Sequence, residues 1–222
     1  MVKIAFIGAG SKGFARTVIT DILTFPAMRK DTQMALMDIN ESRLDYNLKM
    51  LNTYKENNPK ELENVTFEAT TDQKAAITDA KYVVSAFMVG GWHSYKIDLD
   101  IPFKYGVTQN VGDTLGPGGI FRFLRNVPVY RQIIENMKDV SLQESAFKPF
   151  HLNYTNPMVM NTWFCNALWA DSTVGLCHGV QGTATQLRMY VGAMPNEFSY
   201  LCAGINHMGW FLDIRYKDAT NP

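Results

Sequence analysis

Short apolar runs alternate along this chain with longer segments whose apolar residues recur at helical spacing. The runs predict strands at residues 2–7, 33–39, 65–69, 81–87, 150–154, 173–177, 200–206 and 211–216. The periodic segments predict helices at residues 13–24, 41–56, 72–78 and 117–138, with helical stretches after the strands at 150–154 and 173–177. Pro26 ends the first helix, and Pro128 is expected to kink or restart the fourth. Strands that alternate with helices in this way predict an α/β fold with a doubly wound parallel sheet of the Rossmann type.

Composition narrows the possible functions. The 222 residues are 46% hydrophobic and 19% charged, as in an ordinary globular protein. Basic and acidic residues balance at 21 each, without a Lys- or Arg-rich run, so we expect no nucleic-acid partner. The apolar run at residues 2–7 is too short for a secretory signal or a membrane span, which predicts a cytoplasmic protein without a membrane partner. The three cysteines form no paired motif, which fits a reducing compartment.

A glycine-rich motif follows the first predicted strand. The segment Gly8-Ala9-Gly10-Ser11-Lys12-Gly13 matches G-x-G-x-x-G and stands between a strand and a helix, where a dinucleotide site requires it. Gly8 permits a tight turn, Gly10 lets the backbone approach a pyrophosphate at the helix N-terminus, and Gly13 lets helix and strand pack closely. The candidate cofactor-binding residues of this loop are Gly8, Gly10, Ser11 and Gly13. The alternative is a glycine-rich turn without a ligand.

Asp38 ends the second predicted strand, 25 residues after Gly13. An acidic side chain at this place usually accepts hydrogen bonds from the adenosine ribose hydroxyls. Because a carboxylate repels a 2′-phosphate, Asp38 favours NAD over NADP, and Arg43 is the nearby cation that would soften this preference. The alternative role for Asp38 is to cap the next helix.

Three polar clusters follow later predicted strands: Asn153-Tyr154-Thr155-Asn156-Pro157, Cys177-His178-Gly179 and Asn206-His207-Met208. Ligands of open α/β sheets bind at the carboxyl ends of the strands, so we expect the clusters to converge near the nicotinamide end of the cofactor. A cysteine thiolate with an imidazole suits a borderline divalent metal such as Mn²⁺, Fe²⁺, Co²⁺, Ni²⁺ or Zn²⁺. Taken singly, each residue also fits a buried cysteine or a core histidine, so both interpretations stand at this point.

Five segments together carry a resemblance to a known family. They are residues 7–11 (IGAGS), 112–119 (GDTLGPGG), 153–158 (NYTNPM), 175–178 (GLCH) and 203–208 (AGINHM). In this order they resemble glycoside hydrolase family 4, and most closely its α-galactosidase branch, over essentially the whole chain. Family members are considerably longer, so the resemblance implies that a C-terminal portion is missing. We expect an NAD-binding Rossmann domain over residues 1–175 and the start of a second, α+β catalytic domain for substrate and metal over residues 176–222.

The resemblance also implies roles for individual residues. Cys177 and His207 match the metal ligands, usually of Mn²⁺, and Asn156 matches an asparagine that contacts substrate near the nicotinamide. His178 matches a position that faces the substrate, and we count it among the catalytic as well as the substrate-binding candidates. Asp113 matches an acidic position proposed as the general acid, although a loop carboxylate that caps glycine-rich turns is the alternative. The proposed catalytic base of the family falls beyond residue 222.

The implied reaction is hydrolysis of α-galactosides with NAD and Mn²⁺ or another divalent metal. The sugar is oxidised transiently at C3, deprotonated at C2, and loses its C1 substituent by elimination; water then adds and the hydride returns to C3. The chain departs from its relatives at Lys12-Gly13, where Thr-Ile is common, at Gly179, where Ser is usual, and at Gly209, where Ala is usual. The last two departures affect the shape of the substrate pocket and leave sugar specificity open. The alternatives are an α-glucoside, an α-galacturonide or a 6-phospho-glycoside. The resemblance further implies a homodimer or homotetramer.

Two other classes compete with this interpretation. An NAD-dependent 2-hydroxyacid dehydrogenase also has a strand followed by Asn-Pro, and Arg122 or Arg125 would serve as its carboxylate clamp. No histidine with a clear aspartate partner accompanies them, and the Cys177 and His207 pair would have no role. A non-catalytic NAD-sensing module is the second alternative, which a metal-free, fully NAD-loaded protein without turnover of any glycoside would support.

Overall fold

The centre of the protein is a six-stranded parallel sheet. The computed structural model describes residues 2–109, 115–144 and 148–217. The strands are β1 (Val2–Ile7), β2 (Thr32–Met37), β3 (Val65–Thr70), β4 (Ala80–Ser85), β5 (Phe150–Asn153) and β6 (Thr173–Gly175). They lie in the order β3-β2-β1-β4-β5-β6, and each neighbouring pair is parallel. This is the strand order of the doubly wound dinucleotide-binding fold, so the predicted Rossmann-type α/β class is confirmed.

Helices connect the strands. They are α1 (Phe14–Ile22), α2 (Pro26–Arg29), α3 (Glu41–Asn57), α4 (Gln73–Ile77), α5 (Gly91–Phe103), α6 (Pro117–Glu144), α7 (Met158–Leu168) and α8 (Gly179–Tyr190). The sequence pattern does not predict α5. Helix α6 continues through Pro128 as a single element, so the expected restart does not occur. Among the described residues, no helix is both long and apolar enough to cross a membrane.

Alternate residues of β1 enter two separate hydrophobic cores. Ile4 and Phe6 pack with side chains from α1 and α3, whereas Ala5 and Ile7 pack with side chains from α4 and α6. Tyr130 of α6 is the bulkiest fully buried side chain and belongs to the second core. Because both faces of the sheet are covered by helices, the central strand β4 is buried along most of its length, as the apolar run at residues 81–87 indicated, whereas β3 is more exposed.

The carboxyl ends of five strands lie side by side. Met37 pairs with Ile7, Ile7 with Ser85, Ser85 with Asn153, and Asn153 with Gly175. The residues that come directly after these strands therefore share one edge of the sheet. The glycine loop after β1 and the polar segments after β2, β5 and β6 all start there, which is where ligands bind in this class of sheet.

A separate hairpin follows α8 and a short 3-10 helix (Pro195–Glu197). Strands β7 (Phe198–Ile205) and β8 (Met208–Tyr216) pair with each other in antiparallel fashion and form a sheet of their own. Asn206 and His207 form the turn between them. The third polar cluster does follow a strand, β7, but the expectation that it lies at the carboxyl edge of the parallel sheet is wrong, because β7 belongs to the separate hairpin. Strand β8 also starts earlier than predicted, at Met208 rather than at Phe211.

Candidate dinucleotide and metal site

The glycine loop turns sharply out of β1. Gly8 has a φ of +93°, in a region that side chains rarely tolerate, and a Cβ at this position would overlap the carbonyl of Ala86 beside β4. The N–H groups of Gly8 and Ala9 both donate to the Met37 carbonyl at 2.9 Å. Strand β1 is thus tied to both of its neighbours at the point where the loop begins, and Gly8 meets the requirement that the sequence motif indicated.

Gly10 and Gly13 have different surroundings. A Cβ at Gly10 would lie 2.6 Å from the carboxylate of Asp38, so this position must stay without a side chain. A Cβ at Gly13 would meet nothing within 4 Å. The expectation that Gly13 allows helix and strand to pack closely is therefore wrong, because Gly13 is exposed at the N-cap of α1. The close contact of the loop is instead between Gly8 and the segment after β4. Helix α1 has no side-chain cap and no acidic residue in its first turn, so its first N–H groups suit an anion.

Asp38 links the glycine loop to the end of β2. One of its carboxylate oxygens accepts from the Gly10 N–H at 2.8 Å, and the other accepts from the Asn40 N–H at 2.9 Å. Asn40 is the N-cap of α3, since its side-chain oxygen accepts from the Arg43 N–H at 3.0 Å. Asp38 is therefore not the helix cap, which removes the alternative role for it. Its half-buried carboxylate lies beside the loop that would carry the cofactor.

Cys177 and His207 are brought together from different sheets. Cys177 comes two residues after β6, and His207 lies in the turn of the β7–β8 hairpin. Cys177 Sγ is 3.5 Å from His207 Nε2, and the Gly179 N–H donates to the same sulfur at 3.3 Å. His207 has a φ of +61°, so its position depends on a left-handed backbone in the turn. The two candidate ligands thus converge, as predicted, although not through the strand ends of one sheet.

The spacing of this pair fits a shared divalent ion. A metal bound by thiolate and imidazole at about 2.3 and 2.1 Å subtends a sulfur-to-nitrogen distance near 3.5 Å when the angle is close to tetrahedral. Within the parts of the chain that the structure describes, no group of three or more His, Cys, Asp or Glu side chains could hold a metal. Cys177 and His207 are thus a pair that could supply two of the ligands of such an ion.

The segment around Asn156 is held by buried amides. Asn126 of α6 donates to the Asn156 carbonyl at 3.2 Å, and Asn161 of α7 donates to the Thr155 carbonyl at 2.9 Å. The Thr155 N–H donates to the side chain of Asn153 at 3.0 Å. Asn156 itself is only half buried. The backbone of this segment is thus fixed at the sheet edge, while its asparagine remains accessible.

A neutral polar network lies beneath that segment. The Tyr130 hydroxyl donates to the side-chain oxygen of Asn153 at 2.6 Å, and Ser85 Oγ donates to it at 3.2 Å. His151 Nε2 is 2.8 Å from Ser85 Oγ, and His151 Nδ1 is 3.2 Å from the hydroxyl of Thr173. Burial lowers the pKa of His151 to about 3 and raises the pKa of Tyr130. Sequence reasoning missed this network; its signal is a polar residue in apolar strands, as at Ser85 and His151.

The remaining candidates lie in less defined surroundings. His178 is exposed and stands at the N-cap of α8, next to Cys177. Ser11 is half buried, and its N–H donates to the Gly8 carbonyl at 3.3 Å. Asp113 lies outside the described residues.

The proposed carboxylate clamp of a dehydrogenase is engaged in other contacts. Arg125 forms a bidentate ion pair with the buried Asp98 of α5. Arg122 lies over the ring of Tyr95, at 5.9 Å from its centroid, and burial lowers the pKa of its guanidinium. Because the charge of Arg125 is compensated within the protein, this arginine is a poor anchor for a substrate carboxylate.

Strand order, the glycine loop after β1 and the carboxylate after β2 define the class, that of dinucleotide-binding α/β proteins. The chain belongs to the family 4 glycosyl hydrolases, whose family profile matches residues 3–193. The α-galactosidase of Rhizobium meliloti (strain 1021) is 44% identical over 213 residues, which cover 96% of this chain and 42% of that protein. The α-galactosidase of Bacillus subtilis (strain 168) is 39% identical over 223 residues, which cover 100% and 49%. The chain spans less than half the length of these two curated relatives.

A solved structure supports the fold. The 6-phospho-β-glucosidase of Thermotoga maritima, crystallised with manganese, NAD⁺ and glucose-6-phosphate, matches with a TM-score of 0.81. The match covers 97% of this chain and 49% of that chain, at 22% sequence identity. At this level of identity, the similarity demonstrates a shared fold.

Proposed function

We propose that the protein is an NAD- and divalent-metal-dependent glycosidase that cleaves α-galactosides. The observation that carries the proposal is the 3.5 Å approach of Cys177 Sγ to His207 Nε2 in a chain of this family. The sugar class follows from the two curated relatives, both of which are α-galactosidases. The metal and the cofactor are those named for the Thermotoga structure, which was solved with manganese and NAD⁺.

The residues of the glycine loop would hold the cofactor. The loop exposes the first N–H groups of α1 to the pyrophosphate, and Asp38 would accept hydrogen bonds from the adenosine ribose. Cys177 and His207 would hold the ion, with Mn²⁺ as the first candidate. When bound, the two groups supply reversible oxidation at C3 of the sugar and withdrawal of electron density, which makes the C2 hydrogen acidic.

Three residues of the chain would act on the sugar. Asn156 presents an amide at the same sheet edge as Cys177, since β5 and β6 end in register at Asn153 and Gly175. An amide there would orient the sugar by hydrogen bonds to its hydroxyls. We assign His178 to the same surface because it follows Cys177 directly, and we assign the general acid that protonates the departing oxygen to Asp113.

We further infer that the chain contains one domain and the start of a second. Residues 1–175, which end with β6, would form the NAD-binding domain, and residues 176–222 would begin the substrate and metal domain.

Large apolar side chains are exposed on the helices, among them Trp92, Phe121 and Trp163, which supports association into a homodimer or homotetramer. The three cysteines are free thiols in the structure, which fits a cytoplasmic location.

Turnover in D₂O tests the reaction. Removal of the C2 proton followed by addition of water across the resulting double bond should leave deuterium at C2 of the released galactose, whereas direct displacement at C1 leaves C2 untouched. The intact enzyme should also need catalytic NAD⁺ without net formation of NADH. Mass spectrometry and NMR of the released sugar measure the first outcome, and absorbance at the NADH band measures the second.

Two results would reject the proposal. Product without C2 deuterium, formed at full rate in the absence of nucleotide, would exclude the oxidation and elimination route. Stoichiometric accumulation of NADH would instead support a dehydrogenase.

A further inference from the structure

The buried side chain of Asn47, in α3, contacts the backbone of the glycine loop. Its side-chain nitrogen donates to the carbonyl of Ala9 at 2.5 Å and to the carbonyl of Ser11 at 2.9 Å. The residue is 1% exposed, although α3 otherwise presents mostly polar side chains to solvent. One buried amide therefore fixes two of the carbonyls in the segment that the dinucleotide motif occupies.

The orientation of this amide follows from its partners. Both hydrogen-bonding groups of the loop are carbonyls, so the NH₂ group must face them, and the flipped amide would place three oxygens together. The side-chain oxygen of Asn47 is buried without a hydrogen-bond partner among the described residues. A buried oxygen without a partner lowers stability, so the fold alone does not account for an amide at this position.

The loop carbonyls explain why an amide is useful there. A pyrophosphate needs N–H donors and is repelled by carbonyl oxygens, so carbonyls in a phosphate-binding loop must turn away from the ligand. Asn47 holds the carbonyls of Ala9 and Ser11, while Asp38 holds the N–H of Gly10 between them. The N–H of Gly10 and the carbonyls on either side of it are thus fixed by two side chains that follow β2 in the sequence, those of Asp38 and Asn47.

We propose that Asn47 is a positioning residue of the dinucleotide site, which keeps the carbonyls of the glycine loop directed away from the pyrophosphate of the cofactor. This inference rests on the proposed use of NAD. Asn47 acts through the loop and not by touching the reacting atoms. We therefore expect that loss of the two hydrogen bonds raises the Kd for NAD⁺ beyond what the accompanying loss of fold stability explains.

The experiment compares two buried asparagines in the intact protein. Asn47→Leu removes both donors at nearly constant volume. Asn136→Leu is the matched control, because Asn136 of α6 is 5% exposed and donates to Gln73 at 2.9 Å, in contact with α4 and not with the glycine loop. Calorimetric titration with NAD⁺ gives the Kd of each variant, and thermal unfolding gives its stability.

We expect the Kd for NAD⁺ to rise about tenfold or more in Asn47→Leu and to stay within about twofold of the parent in Asn136→Leu, while both lose stability. In turnover, Asn47→Leu should raise the KM for NAD⁺ and leave kcat at saturating NAD⁺ nearly unchanged. If Asn47→Leu does not fold, Asn47→Ser serves instead, because its hydroxyl is too short to reach both carbonyls.

The outcomes separate this inference from the proposed function. A parent protein that does not bind NAD⁺ would overturn the proposed function. A parent that binds NAD⁺ with a Kd that Asn47→Leu leaves unchanged would overturn the positioning role alone. Equal weakening by both leucine variants would also overturn it, because general destabilisation would then account for the effect.

Discussion

The sulfur of Cys177 and the Nε2 atom of His207 lie 3.5 Å apart, although 30 residues separate them in the sequence. One residue follows the last strand of the parallel sheet, and the other sits at the tip of an antiparallel hairpin. The contact therefore depends on how β6 and the hairpin are folded, and not on any local motif. It also gives the metal proposal its most direct test.

Removal of either side chain should abolish tight Mn²⁺ binding. Cys177→Ser replaces the thiolate by a weaker ligand, and His207→Asn removes the imidazole but keeps a residue that tolerates the positive φ of the turn. Each change should raise the Kd for Mn²⁺ about a hundredfold, measured by calorimetry with metal analysis. Cys202→Ser is the matched control and should bind Mn²⁺ like the parent. Unchanged affinity in Cys177→Ser would show that the ligand assignment is wrong.

Alkylation should distinguish the cysteines. Burial raises the pKa of Cys165 to about 12, and its side chain is fully buried, so iodoacetamide should not label it in the folded protein. Cys177 is half buried and should react, with loss of glycosidase activity, whereas bound Mn²⁺ should slow this labelling and leave that of Cys202 unchanged. Peptide mapping by mass spectrometry measures all three sites. Labelling of Cys177 at the same rate with and without Mn²⁺ would argue against metal binding there.

The sequence predicted the parallel sheet well because its central strands β1, β2 and β4 are nearly continuous apolar runs with consecutive buried residues. Helix α5 was beyond reach of the pattern, since Ile97, Leu99, Ile101 and Phe103 alternate with other residues at the spacing of a strand. Tertiary contacts, including the ion pair of Asp98 with Arg125, accompany the helical conformation instead. The tight turn at Asn206 and His207 also lacks the glycine that usually marks a two-residue hairpin, so the sequence did not reveal the hairpin.

The candidate site, like the fold, could be predicted from the sequence only in part. The glycine loop and Asp38 could be placed from the sequence because both are tied to consecutive strands, whose order the motif itself implies. Asn47 could not, because nothing in a helical pattern distinguishes an asparagine that faces a loop from one that faces solvent. The contact between Cys177 and His207 follows from the family resemblance, while its structural basis in two different sheets does not.

Asp38 should control the choice between NAD⁺ and NADP⁺. The Asn variant keeps the shape of the side chain and an oxygen for one of the two backbone N–H groups that Asp38 now binds, but removes the negative charge that repels a 2′-phosphate. We expect the ratio of the NADP⁺ Kd to the NAD⁺ Kd to fall about tenfold in Asp38→Asn, and also in Asp38→Ala. Asp45→Asn, on the exposed side of α3, should leave the ratio unchanged. Fluorescence titration with both nucleotides provides the measurement, and an unaltered ratio in the Asp38 variants would refute the assignment.

The glycines of the loop should differ in their tolerance of a methyl group. In Gly10→Ala the new Cβ would lie 2.6 Å from the carboxylate of Asp38 and must displace it. We expect the Kd for NAD⁺ to rise about tenfold or more. Gly13→Ala is the control, because its Cβ would meet nothing within 4 Å, and NAD⁺ binding should stay within about twofold. Equal losses in the two variants would contradict the structure of the loop.

Buried His151 should make the fold sensitive to acid. Burial holds its pKa at about 3, below the value of 6.5 that it has when exposed, so the unfolded chain binds the proton first as the pH falls. Stability from the neutral ring is fully present above pH 6.5 and is lost on acidification toward pH 3, by about 1.4 kcal/mol per pH unit.

The His151→Gln variant isolates this effect. The variant should be less stable than the parent at pH 7, because the ring contacts with Ser85 and Thr173 are lost. Its free energy of unfolding should nevertheless fall less steeply between pH 6.5 and 5, where most carboxylates are still ionised. Urea unfolding followed by circular dichroism at several pH values measures both slopes. Identical slopes would mean that His151 takes up its proton over the same pH range in the native state as in the unfolded chain.

In the part of the chain that the structure describes, strand β6 pairs with the sheet through three residues. Thr173, Val174 and Gly175 pair with β5, and β6 lies at the edge of the sheet with a neighbour on one side. Such a short outer strand opens far more readily than the strands inside it, and its opening would carry Cys177 away from His207. An ion bound to both residues would stabilise the paired state of β6. Metal binding should therefore slow amide hydrogen exchange at residues 173–177 while exchange in β1 stays the same.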